Sequence, residues 1–144
     1  MKIYGIGIDI INILRIKKSL KNRKLLKRLF NKNEMLKCNK QINKENCYAK
    51  KFAAKEAFSK AIGIGISKGI SFNEIIVQNN KLGKPEIMLI GKTRKIVSSI
   101  LKKKKINIFK TLTDDKPFAV ATVVISIWTK KKSTIPLLKI LKPY

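Results

Sequence analysis

The chain has 144 residues, a length suited to one domain with a modest core. It carries 34 Lys plus Arg against 8 Asp plus Glu, formally +26, and no histidine. A zinc site is excluded by the missing histidine and by the Cys38 to Cys47 spacing, which fits no metal-ligand or redox pattern.

The positive field suits a polyanion: nucleic acid, an acidic protein or a phosphorylated small molecule. Lysine is spread through the whole chain, however, without the interleaved aromatics of a base-stacking platform. Much of the excess is what compositional drift would produce. A basic nucleic-acid-binding domain is therefore the alternative reading and not the first. The cysteine usage reads as cytosolic. The start, MKIYGIGIDI, shows no signal peptide, and no apolar run reaches membrane-spanning length. The expectation is a cytoplasmic protein without a membrane partner.

Ile3 to Ile11 is β-branched and reads as an opening strand. Tyr4, Ile6, Ile8 and Ile10 are expected to pack one face of a sheet, while Gly5, Gly7 and Asp9 share the other. Bare backbone followed by a carboxylate lets a helix or ligand approach closely. Asp9 itself is either a ligand or a cap for the next helix. Asn12 to Cys38 is helical and very basic, with a break expected at Asn31 to Asn33 and a short helix starting at Asn33. Asn43 or Asn46 can cap the next helix.

Cys47 to Ile66, CYAKKFAAKEAFSKAIGIGI, is one firm helix ending at Gly63. Ala49, Ala53, Ala57 and Ala61 make its apolar stripe. Glu56 and Lys60 fall inside that stripe, where charge is costly unless partners compensate it. They are a structural i,i+4 ion pair or part of a site. Gly65 and Gly69 follow in GIGISKGI, a loop able to cradle phosphate, though the spacing alone is weak.

Strands are expected at Ser71 to Gln78 and Pro85 to Ile90, and a helix at Gly91 to Lys105. Ile106 to Thr113 and Phe118 to Trp128 form a hairpin whose second arm is apolar enough to be central. Thr129 to Tyr144 is a basic tail, with residues 1–128 as the domain. Strands from both ends with helices gathered between them make an α+β domain: an antiparallel sheet packed with a long central helix.

The segments IYGIGIDIINILRI and YAKKFAAKEAFSKAIGIGI resemble the two signatures of the holo-acyl-carrier-protein synthases, small bacterial 4'-phosphopantetheinyl transferases. ISFNEIIVQNNKLGKPEI is similar to the segment after the second signature, and TLTDDKPFAVATVVI to the C-terminal hairpin. The likeness runs from about Met1 to Ser126. It implies the 4'-phosphopantetheinyl transferase-like fold and a Mg²⁺-dependent transfer of phosphopantetheine. The donor is coenzyme A, and the acceptor is a serine of the apo acyl carrier protein. Adenosine 3',5'-bisphosphate is released, and the reaction supports fatty acid biosynthesis.

By the same resemblance Asp9 and Glu56 bind the metal, and with Lys60 they form the catalytic set. Lys60 would hold the phosphoryl or leaving group. Lys51, Lys60, Gly65, Lys84 and Pro85 match elements that hold coenzyme A. The basic helix receives the acidic carrier, with Arg15, Lys18, Lys21, Lys24 and Arg28 as docking residues. A homotrimer with sites between subunits is implied too. In two places the chain departs from the family pattern. Lys51 stands where Arg is common and lacks its planar fork. Phe109 stands where a histidine is common, which leaves room for an inactive carrier-binding relative.

Overall fold

A computed structural model describes residues 1–64, 68–102 and 104–128. The β-branched opening forms β1 (Lys2–Asn12). Asn12 turns the chain into α1 (Ile13–Ser19) by accepting the Leu14 amide at 2.8 Å. The basic segment continues as α2 (Arg23–Leu29) and α3 (Lys32–Asn39). The break at Asn31 is present, and Asn31 and Glu34 cap α3 reciprocally. A second break, at Leu20–Asn22, divides the segment further than its pattern suggests. It arises because the Asn22 side chain accepts the Leu25 amide and starts a new helix.

The long helix α4 (Lys44–Ile62) begins a turn before Cys47 and stops at Gly63, whose φ of 79° is the left-handed conformation of a C-terminal cap. After a 3₁₀ turn at Phe72–Glu74 come β2 (Ile75–Asn79) and β3 (Pro85–Leu89). Then follow α5 (Gly91–Ile100), β4 (Ile106–Asp115) and β5 (Phe118–Ile127). The expected strand at Ser71 therefore starts late, since the 3₁₀ turn takes its first residues. The helix after Gly91 is five residues shorter than expected, ending at Ile100.

All pairing is antiparallel, in one sheet of order β1-β5-β4 and a second of β2-β3. The apolar arm β5 is central, as its composition demands. Helix α4 lies on the inner face of the larger sheet. Ala49, Ala53, Ala57 and Phe58 are fully buried, and Ala119, Ala121, Val123 and Ile125 are buried on β5.

The glycine face of β1 admits a helix, as its bare backbone allows, but the isoleucine face does not pack as expected. Ile6, Ile8 and Ile10 are 60–62% exposed and Tyr4 39%, while the glycine face is the one that meets α4. A Cβ on Gly5 would lie 2.0 Å from the Ala61 carbonyl oxygen, and one on Gly7 would lie 2.0 Å from that of Ala57. Helix backbone rests directly on strand backbone. No side chain fits there, so the isoleucines are turned outward. Through the register, Ile6 aligns with Val124 and Phe109, Ile8 with Thr122 and Thr111, and Ile10 with Val120 and Thr113. The outer face is thus a broad apolar surface.

On the other side of α4, Phe30 and Tyr48 stack edge to face at 4.8 Å. Cys38 and Cys47, which carry no redox spacing in sequence, are paired as a disulfide with Cα atoms 5.5 Å apart. Folding of α3 back onto α4 is what brings them together.

Candidate active site

Strand alternation places Asp9 on the same face as Gly5 and Gly7, beyond the point where α4 touches the strand. That contact brings the Glu56 and Lys60 turns beside Asp9. The Lys60 ammonium donates to Asp9 Oδ1 at 2.8 Å and to the Ile8 carbonyl at 3.0 Å. Lys60 is 54% exposed at the side chain, not inside the buried stripe, and it pairs across to the strand instead of along the helix to Glu56. Of the two readings of Glu56 and Lys60, the i,i+4 ion pair does not form, because Asp9 takes the lysine.

Glu56 is half-buried and has no hydrogen-bond or ion-pair partner among the described residues. Burial raises its carboxyl above the usual range, the Asp9 charge raises it further, and Lys60 opposes both. Two carboxylates therefore lie near one ammonium, which pairs with Asp9 alone, and retain excess negative charge. A hard divalent cation relieves such a pair, and Mg²⁺ in particular needs only one or two carboxylates beside substrate phosphates and water. Among the described residues no third Cys, His, Asp or Glu joins them, so this is not a complete protein cage. The residues fit a metal that is shared with a phosphorylated ligand.

Of the expected coenzyme A contacts, Lys60 stays beside Asp9, and only Lys51 and Pro85 share a cavity. A cavity of about 540 Å³ is lined by Lys37, Lys50, Lys51, Gly83 and Pro85 among others. Lys51 is buried there and donates to the Val77 carbonyl; burial pulls its ammonium below the usual lysine range. Lys84 lines a neighbouring, more open cavity with Lys110 and Glu86 between β3 and β4. Gly65 lies outside the described residues, as does the 129–144 tail. Neither Asp9 nor Glu56 lines either cavity.

Arg15 and Lys18 on α1, Lys21 in the turn, and Lys24 and Arg28 on α2 are all exposed. Leu14, 58% exposed, adds an apolar residue to this basic surface. Phe109, 52% exposed, is on the outer face of the sheet. Alternation separates it from Asp9 within one chain.

A buried ion pair is the site feature that the sequence does not announce. Lys55, fully buried, donates to Glu34 Oε2 at 2.6 Å, to the Leu29 carbonyl at 2.8 Å and to the Phe72 carbonyl at 2.9 Å. Two signals point towards it. Asn31 and Glu34 have the spacing of a capping box, and Lys55 sits between the alanines of a helix buried on most sides.

The model of the 4'-phosphopantetheinyl transferase superfamily matches residues 5–123. The holo-[acyl-carrier-protein] synthase of Pelagibacter ubique is 47% identical over 125 residues, spanning 87% of this chain and 98% of that protein. The crystal structure of the Bacillus anthracis synthase in complex with coenzyme A (3',5'-ADP) is 37% identical with a TM-score of 0.69, covering 85% of this chain and 96% of that one. The Helicobacter pylori synthase in complex with coenzyme A is 33% identical with a TM-score of 0.71, covering 84% and 99%.

Proposed function

This chain belongs to the 4'-phosphopantetheinyl transferase superfamily, and we propose that it is a holo-acyl-carrier-protein synthase. It moves the phosphopantetheine arm of coenzyme A onto a serine hydroxyl of the apo carrier and leaves adenosine 3',5'-bisphosphate. The observation that carries this reading is the meeting of Asp9 and Glu56, 47 positions apart, with Lys60 bonded to the first and no partner on the second among the described residues. A nucleic-acid-binding domain gives no reason for two carboxylates there.

Asp9 and Glu56 would hold Mg²⁺, which when bound offsets charge on the pyrophosphate and on the attacking oxygen. Lys60, whose side chain is half-exposed, turns from Asp9 to hold the phosphoryl group, as lysines do in phosphoryl transfer. One Glu56 carboxylate oxygen, half-buried and without a hydrogen-bond partner among the described residues, is placed to accept the serine proton. That assignment needs no imidazole, so Phe109 does not count against activity.

Coenzyme A as substrate is supported by the Bacillus anthracis and Helicobacter pylori complexes. Its nucleotide end suits the cavity at Lys51, Pro85 and the neighbouring Lys84. The acidic carrier docks on Arg15, Lys18, Lys21, Lys24 and Arg28, where close charge complementarity gives steering and orientation. A cytoplasmic location and a role in fatty acid biosynthesis go with this reaction.

The chain acts as a homotrimer with sites between subunits. Two features support this. The outer sheet face carries exposed Ile6, Ile8, Ile10 and Phe109, and an exposed apolar patch of this kind marks an interaction surface. The nucleotide cavity and the carboxylate pair are also separate in one chain, so apposed copies would supply one half of the site each.

The test is incubation with coenzyme A, Mg²⁺ and apo acyl carrier protein, followed by mass spectrometry of the carrier. A carrier gaining the phosphopantetheine mass is expected. An unmodified carrier would overturn the proposal.

A further inference from the structure

We propose that Glu34 and Lys55 are a positioning pair that sets α2, half of the carrier-docking surface, against the helix bearing Glu56. The inference rests on the synthase reading and deepens it.

A buried ion pair is a poor stabiliser, because desolvation of both charges can exceed their attraction, and apolar residues of similar volume often serve as well or better. Here every proton of the ammonium has a separate acceptor. One goes to Glu34, one to the Leu29 carbonyl and one to the Phe72 carbonyl, with the charge 4.9 Å over the Phe30 ring. Glu34 is equally committed. Its Oε2 also takes the Asn31 amide at 2.8 Å, and Oε1 takes the Val77 amide at 2.9 Å. The pair joins α2, α3, α4, the 3₁₀ turn and β2 at one point.

The Leu29 bond matters most for function. Helix α2 has no fully buried side chain and packs on the core only through the partly buried Leu26 and Leu29. Its last-turn carbonyls lack intrahelical partners. Two are taken by side chains from outside: Leu29 by Lys55, and Lys27 by Asn73 Nδ2 at 3.1 Å. Phe30, next in sequence, is buried beneath the same ammonium. Arg28 and Lys24 ride on the helix so tethered, and Lys55 is the residue directly before Glu56. Through this node the place where an acidic carrier lands is fixed relative to the carboxylate that must meet its serine. A misplacement of about 1 Å can lower a rate about a hundredfold.

The experiment uses full-length enzyme with the combined substitutions Glu34→Gln and Lys55→Met, which leave no unpaired buried charge and keep an acceptor for the Val77 amide. The expected result is a folded protein by circular dichroism, with coenzyme A affinity within about twofold of wild type and the KM for apo carrier raised about tenfold or more. Arg28→Ala should also raise the carrier KM far less in that background than in wild type, since a misplaced α2 no longer presents Arg28. Equal losses in carrier and coenzyme A binding, an unchanged carrier KM, or the same Arg28→Ala effect in both backgrounds would each overturn the proposal.

If the double variant fails to fold, Asn73→Ala decides. It removes the other, exposed tether of α2 and should raise the carrier KM alone; no change there refutes the idea. A wild-type enzyme that leaves the carrier unmodified would sink the synthase reading itself, which is a separate failure.

Discussion

Gly7→Ala tests whether the contact between β1 and α4 builds the carboxylate pair. The added Cβ would lie 2.0 Å from the Ala57 oxygen, 2.7 Å from the Ala61 nitrogen and 3.0 Å from the Ala57 carbonyl carbon. All three are backbone atoms, so no rotamer change can relieve them. The nearest is roughly 1.4 Å short of the 3.4 Å at which ordinary contact begins, so strand and helix must part by about that much. Overpacking of this kind costs about 1–3 kcal/mol and occasionally more. With rigid atoms on both sides the upper end applies, near 3 kcal/mol, or a fall in Tm of about 10 °C for a chain of this size. Asp9 is two residues along the moving strand, and a shift of about 1 Å between it and Glu56 should lower transfer about a hundredfold. Thermal unfolding and mass spectrometry of the carrier read the two effects. Gly63→Ala is the control: it meets no atom within 4 Å and carries only the strain of its positive φ, about 1–2 kcal/mol. A Gly7→Ala enzyme with wild-type Tm and turnover would refute the packing argument.

Glu56→Gln should abolish transfer and its metal dependence while leaving the fold intact. Because burial and Asp9 raise the Glu56 pKa, the protonated form is favoured in the folded state. Its contribution to stability is present below the ordinary carboxylate pKa and is lost as pH rises through the raised value. Metal-free wild type should therefore gain stability from Glu56→Gln at neutral pH, and Mg²⁺ affinity measured by calorimetry should weaken as pH falls through the Glu56 titration. A metal affinity flat across that range would contradict the assignment. Lys21→Glu with Lys24→Glu should raise the carrier KM about tenfold, with little change for coenzyme A and a reduced salt dependence; parallel changes for both substrates would count against the docking surface. Ile8→Glu, at a residue 60% exposed, should leave the circular dichroism spectrum unchanged and give a monomer in sedimentation where the proposed trimer is expected of wild type. Persistence of the trimer would remove the outer face from the interface.

Local chemistry made much of the fold legible. The β-branched start, the apolar run of β5, the left-handed Gly63 and the alanine-rich helix each dictate their own backbone conformation, and their order gives the α+β arrangement. The two signatures were equally readable, and with them Asp9, Glu56 and Lys60 as a set. What sequence could not decide was which face of an element meets which neighbour. The isoleucines of β1 are the apolar side by any hydropathy count, yet they are exposed and the glycine side, with Gly7 buried and Gly5 half-buried, meets the helix, because contact between two backbones is set by the smallest residues and not by the most hydrophobic. Lys60 is one helical turn from Glu56 and bonds to Asp9 instead, 51 positions away. Lys55 shows in sequence only its place among the alanines of α4. It became the buried node only when carbonyls from α2 and the 3₁₀ turn and a carboxylate from α3 closed around it. Residue type and spacing settle bonds made within a few positions along the chain. Charge compensation, exposure and the partner of each polar group depend on segments brought together from far apart, and only the tertiary structure decides them.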